Sequence, residues 1–244
     1  MKKLVIAYHG YMFGDKYMTM MTDQFRRLMT TDLYKNASKV YIGIVDSPDK
    51  KPPWGIEWIN KFWGFSSSKE GSHLASKVDI IVYPENNELR DTLRWIRDYA
   101  KDNPDDYILF FHSKGVTRYN EATESWRAYM EYFTIEKWQE CVRKLDEGYD
   151  CCGVIWIRDT VYGDWPHFSG AFYWAKASYI NTLDHNSIDT EWRYGQEFWI
   201  GTNPNVKAFE FHNSRMSDIA AFNEGRSHYS LPYPRENYEK IKTP

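Results

Sequence analysis

Three clusters of polar residues follow apolar runs, and their side chains could grip an anion or orient a hydroxyl. They are Tyr8-His9-Gly10, Asp46, and His112-Ser113-Lys114-Gly115, with Glu85, Asn86 and Asn87 able to join them. A carboxylate such as Asp46 accepts from a ribose hydroxyl or a base N–H. An ammonium such as Lys114 neutralises a phosphate as a point charge, and Arg118 can add a guanidinium fork. Together they fit a ligand with a ring edge and a diphosphate.

The elements that hold these clusters read as an α/β alternation. Leu4–Tyr8, Val40–Val45, Val78–Tyr83 and Tyr107–Phe111 are short apolar runs, the pattern of strands covered on both faces. Helical spacing over Lys16–Leu33 (Met18, Met21, Phe25, Leu28, Met29) and over Leu89–Tyr99 predicts the helices between them. Asn86 or Asn87 is the expected cap of the second. A long helical region is expected over Glu121–Leu145, in two pieces meeting near Phe133 and Thr134, with Glu136 in a cap. Strands are then expected at Cys151–Ile157, Ala171–Trp174 and Val206–Phe211, and short helices at Ala175–Leu183 and Gln196–Ile200. Ser47–Ser76, rich in Pro, Gly, Ser and Trp, reads as loops around a short helix at Glu57–Phe62. The order predicts one α/β domain with a mixed, mostly parallel sheet flanked by helices. Polar strand tips on its carboxyl edge lie where open sheets bind ligands.

At 244 residues the chain can bury a sizeable core, and its net charge of -3 argues against an electrostatic grip on a polyanion. Aromatics make up 18% of it, with 11 Trp and 19 Tyr, enough to fill a core and still line a sugar or base site. Cys141, Cys151 and Cys152 lack metal-like spacing and point to a reducing compartment. The opening Met1–Ala7 run is too short for a secretory segment, and no run approaches membrane-spanning length. The expectation is a cytoplasmic protein with no transmembrane segment.

The order of these elements resembles the GT-A (Rossmann-like) fold of nucleotide-sugar glycosyltransferases. The strand ending in His112-Ser113-Lys114-Gly115, paired with the later His167-Phe168-Ser169-Gly170-Ala171-Phe172, is similar to a group of glycosyltransferase-like proteins of bacteria and large viruses. The resemblance covers Leu4–Phe211. It implies a GT-A-like catalytic domain over 1–212 and a tail over 213–244 that packs on it or closes over it. It also implies a nucleotide-sugar donor such as a UDP-sugar, and an acceptor on a glycan, lipid, protein or modified nucleic acid. Glu197, in Gly195-Gln196-Glu197-Phe198, takes the place of the acid that meets the acceptor, and Lys114 is its expected catalytic partner. Tyr8, His9, Gly10, Asp46, Asn86, Arg90, His112, Ser113, Arg118, Ser169 and Gly170 would surround the donor. Two departures stand out. The family's Asp-x-Asp is replaced by His112-Ser113-Lys114, and Ala171 and Tyr173 stand where Asn and Trp are expected. A divalent Mn or Mg would therefore need other acids, with Asp159 and Asp164 as candidates, or Lys114 would do its electrostatic work.

Other readings carry less. Asp189 and Glu191 form a near-paired acid motif with no strand behind them. His167 beside Ser169 has no acid in the sequence to orient it, and no Gly-x-Ser-x-Gly elbow is present. Trp126 and Arg127 could close over the donor, or be a helix face and its neighbour. His212 and His228 are candidate late ligands. Two alternatives stand beside the transferase: a nucleotidyltransferase on a related sheet, and a non-catalytic carbohydrate- or nucleotide-sugar-binding protein.

Overall fold

The computed structural model describes residues 2–14, 16–45, 77–158, 165–192 and 194–241. The short helix expected at 57–62 lies outside them. Strands β1 (Leu4–Tyr11), β2 (Ala37–Val45), β3 (Val78–Tyr83) and β4 (Tyr107–His112) are followed by β5 (Cys151–Gly153), β6 (Trp156–Ile157) and β7 (His167–Phe168). Then come β8 (Tyr173–Lys176) and β9 (Ala208–Glu210). Among the described residues, seven strands form one sheet in the order β3-β2-β1-β4-β8-β5-β9, and β6 pairs with β7 apart from it. β8 pairs antiparallel with both β4 and β5, while the other pairings in the large sheet are parallel.

Residues on β1 and β4 alternate between two cores, as a period of two requires. Ile6, Tyr8, Leu109 and Phe111 face a core built with Met20, Met21, Phe25, Trp126 and Tyr129. Val5, Ala7, Ile108 and Phe110 face a second core with Leu93, Ile96, Ala177 and Trp199. The first face is covered by α1 (Tyr17–Thr30) and α4 (Glu121–Glu131). The second is covered by α3 (Arg90–Asp102), α6 (Ala177–Ile180) and α7 (Gly195–Phe198). Burial on both faces is why these strands show no polar alternation. The remaining helices are α2 (Leu33–Asn36), α5 (Trp138–Asp146) and α8 (Ile219–Asn223).

Several local expectations change. The buried stripe of α1 is Met20, Met21, Gln24, Phe25 and Leu28, whereas Met18 and Met29 face solvent. Neither Asn86 nor Asn87 caps α3, whose N-cap is Leu89; Asn86 Oδ1 accepts from the Glu88 N–H and Asn87 donates to Asp91. Asn120 and Thr123 form a reciprocal capping box on α4. The 121–146 region passes through a π-helical turn at Tyr132–Glu136. Glu136 caps nothing there; it pairs with Arg27 and Arg235. The tail beyond Phe211 lies on the first core, with Tyr238 buried against Tyr129 and Tyr132.

Candidate functional site

The chain order leaves β1 toward β2 on one side and returns to β4 on the other, so the topological switch point lies between β1 and β4. In an open α/β sheet the crevice beyond the carboxyl ends of those strands is the ligand position. His9 and His112 are register partners on the last shared rung of that pair. By the strand alternation both imidazoles point to the face that carries α3 and α7.

The ring of His9 is buried, with Nδ1 2.9 Å from Thr92 Oγ1 at the start of α3. Burial pushes its pKa down to about 4. His112 Nε2 lies 2.9 Å from the Gly170 carbonyl, an acceptor only, so Nε2 carries the proton and Nδ1 is the acceptor nitrogen. Burial first, and then the Lys114 charge, push His112 down to about 3. Both rings are neutral at pH 7.

The His112–Gly115 turn is held by a buried chain of polar groups beneath it. Ser113 N–H donates to the His9 carbonyl, and Ser113 Oγ accepts from the Tyr11 N–H at 2.9 Å. Tyr8 is wholly buried and donates to Gln24 Oε1 at 2.9 Å; it supports the tip from below and presents no surface to a ligand. Gln24 Nε2 reaches the His112 carbonyl (3.1 Å) and Glu131 (2.8 Å). Glu131 lies between Arg27 (3.1 Å) and Arg127 (3.6 Å), and Arg127 donates to the Lys114 carbonyl at 3.2 Å. Burial raises the Glu131 pKa against the pull of both arginines. Sequence reasoning missed this network. A glutamine inside the α1 stripe and a glutamate inside Tyr129–Phe133 were its visible signals.

Lys114 leaves this turn toward the tail. Its ammonium sits 4.6 Å from the Trp126 ring centroid and 3.5 Å from the Tyr229 hydroxyl, and exposed Arg118 lies over the same Tyr229 ring. His228 stacks on Trp126 at 5.1 Å and an interplanar angle of 5°. Gly115 takes φ +86°, and a Cβ there would come within 3.1 Å of Thr123, so the residue after the lysine has to be glycine.

The second half of the chain sets His167 beside the short helix that carries Glu197. β6 and β7 place His167 against Phe198 of α7, their ring centroids 4.2 Å apart. His167 Nδ1 faces the Trp165 carbonyl at 3.3 Å, which assigns the proton to Nδ1 and leaves Nε2 as the acceptor. Burial pushes His167 down to about 4; Glu197 opposes that shift and Lys114 adds to it.

The other expected residues distribute as follows. Ser169 Oγ is 2.9 Å from Ser217 Oγ of the tail. A Cβ on Gly170 would lie 2.5 Å from Met130 Sδ and 3.2 Å from Trp126, so this glycine makes room for α4, not for a sugar as a free face would. Gly10 is likewise enclosed by Ile44, Tyr8 and Met21. Arg90 donates to the Thr190 carbonyl at 2.8 Å, and Gln196 accepts from the Leu89 N–H at 3.1 Å, which ties α3 to α7. Arg90 Nε and Gln196 Nε2 are buried with no hydrogen-bond partner among the described residues. Asn86 is exposed beyond the edge strand β3. Asp46 directly follows Val45, the partner of Tyr11, and lies with Asp159 and Asp164 outside the described residues. Among the described residues no three His, Cys, Asp or Glu side chains are grouped to hold a metal. No helix of the described residues is long and apolar enough to cross a membrane.

The fold defines an α/β protein with a mixed, mostly parallel central sheet and polar strand tips at its switch point. The chain belongs to the family described as a domain of unknown function (DUF8361), whose model matches residues 66–188. No curated protein matches it. Among solved structures, the crystal structure of a 4-diphosphocytidyl-2C-methyl-D-erythritol synthase is similar at 10% identity and a TM-score of 0.40, covering 98% of this chain and 97% of that one. A likeness of that extent assigns no reaction.

Proposed function

We propose that the protein is a glycosyltransferase that binds a nucleotide-sugar in the β1/β4 crevice and passes the sugar to an acceptor hydroxyl. The observation that carries this reading is the pair of polar strand tips at the β1/β4 switch point, where His9 and His112 are register partners and Lys114 follows two residues on. In this reading the ammonium of Lys114 and the carboxylate of Glu197 supply the two charges the reaction needs. The acceptor hydroxyl oxygen attacks the anomeric carbon, and Glu197 takes its proton. The bond from the anomeric carbon to the diphosphate oxygen breaks, and its electron pair stays on that oxygen. Lys114 neutralises the charge that develops there. Neutral His9 and His112 offer hydrogen bonds without adding charge. A Mn or Mg would need acids such as Asp159 and Asp164, which lie outside the described residues.

A nucleotidyltransferase on a related sheet would use the same strand tips for a nucleoside triphosphate, and stands as the second reading. Calorimetry with UDP- and GDP-sugars, nucleoside triphosphates and free glycans separates the readings. Binding of a nucleotide-sugar followed by its slow hydrolysis is the expected result. Turnover of a triphosphate with release of pyrophosphate would replace the transferase by the second reading, and binding of free glycans alone would make the protein a non-catalytic module.

A further inference from the structure

Beyond the donor crevice, α7 and the segment before it expose a group of aromatic rings. Trp192 and Tyr194 remain 43% and 42% exposed, and Trp165, on the loop that leads into His167, remains 45% exposed. They are not scattered. The Trp192 ring lies 5.2 Å from Phe198 and 5.8 Å from Tyr194, and Phe198 in turn lies 4.2 Å from His167. The Trp165 loop is fastened to the same element: Gly201, just after α7, packs so tightly on Pro166 that a Cβ would overlap its carbonyl. Large rings grouped at the surface forgo burial, and such groups mark binding faces.

Chemistry narrows the occupant. Aromatic rings offer flat apolar faces, while the neighbouring Glu197 and the exposed Glu191 offer hydrogen-bond acceptors. A pyranose has an apolar C–H face and a rim of hydroxyl donors, and matches both features. A nucleic-acid strand could stack its bases there, but its phosphates would meet two carboxylates on a chain of net charge -3. We infer that Trp192, with Tyr194 beside it and Trp165 on the loop fastened behind α7, is a saccharide-binding platform that presents the acceptor's terminal pyranose to Glu197. The assignment to an acceptor rests on the transferase reading; the saccharide platform itself does not.

Saturation-transfer NMR on the full chain tests it. The probes are methyl glucoside, methyl galactoside, methyl mannoside, maltotriose and an eight-residue oligothymidylate, each with and without UDP or GDP. At least one saccharide should receive saturation from the protein, and Trp192→Ala or Trp165→Ala should weaken its binding about fivefold or more. Phe222→Ala, which removes a still more exposed ring on α8, should change nothing. The platform is overturned if no saccharide receives saturation, if both tryptophan variants bind as the native chain does, or if only the oligothymidylate binds. Saccharide binding with no affinity for UDP or GDP supports the platform and counts against the transferase. Binding of UDP or GDP with no saccharide supports the donor crevice and removes the platform.

Discussion

His112 donates from Nε2 to the carbonyl oxygen of Gly170 at 2.9 Å, and so joins the tip of β4 to the turn that precedes β8. That bond fixes which nitrogen of His112 faces the crevice and couples the two halves of the chain at the site. His112→Ala leaves a largely buried carbonyl without its donor and is expected to cost about 1–3 kcal/mol of stability. Urea unfolding of the variant checks this, and an unchanged midpoint would show that the bond adds nothing.

Four buried imidazoles make stability fall with acid. His9 and His167 are pushed to about 4, and His112 and His228 to about 3, each chiefly by burial. Unfolded histidine titrates near 6.5, so below that pH the unfolded chain binds protons the folded one refuses. Their contribution is complete above about pH 6.5 and is lost as pH falls toward 4, by up to about 1.4 kcal/mol per pH unit for each ring. Urea midpoints should therefore drop steeply between pH 6.5 and 4, and His112→Gln should flatten the slope by about one proton. A pH-independent midpoint across that window would contradict it.

The Gln24–Glu131–Arg127 chain underlies the lysine turn. Glu131→Ala removes the carboxylate between two guanidinium groups, one of them buried, and should cost about 3–5 kcal/mol. Glu131→Gln keeps hydrogen bonding and should cost less. Thermal melts of the two variants order them; equal melting temperatures would show that the carboxylate charge is not what holds the turn.

Lys114 lies on the partly exposed side of that turn, so Lys114→Met should leave the melting temperature nearly unchanged. On the proposed reading it weakens nucleoside diphosphate binding about tenfold or more, the loss of a charge-assisted contact. Because the ammonium supplies the cation, EDTA should leave that binding intact. Calorimetry with UDP and GDP decides both points, and a loss of binding on chelation would transfer the cation's role from Lys114 to a metal.

Much of this was legible in the sequence, for identifiable reasons. The apolar runs of β1, β2 and β4 announce themselves because parallel interior strands are covered on both sides. His9 and His112-Ser113-Lys114 are visible as polar groups that end such runs. The direction of β8 was not legible: nothing in Tyr173–Lys176 encodes that it runs against β4, since reversal depends on the route of the whole preceding segment. The buried contacts of Gly170 and Tyr8 were also hidden, because residue type alone does not say which neighbour fills the space. Nor could spacing reveal that His228 and Tyr229, more than a hundred residues downstream, would lie over Trp126 and Lys114.

On the proposed reading Glu197 is the base and Lys114 the cation of the transfer. The most direct measurement is mass spectrometry of a nucleotide-sugar panel incubated with the native chain and with Glu197→Gln, alongside donor affinity for both. The native chain is expected to release a nucleoside diphosphate from one donor, and Glu197→Gln to bind this donor equally well but turn it over about 100-fold or more slowly. Near-native turnover by Glu197→Gln with full donor binding would contradict the assignment of the base, and release from no donor would contradict the transferase itself.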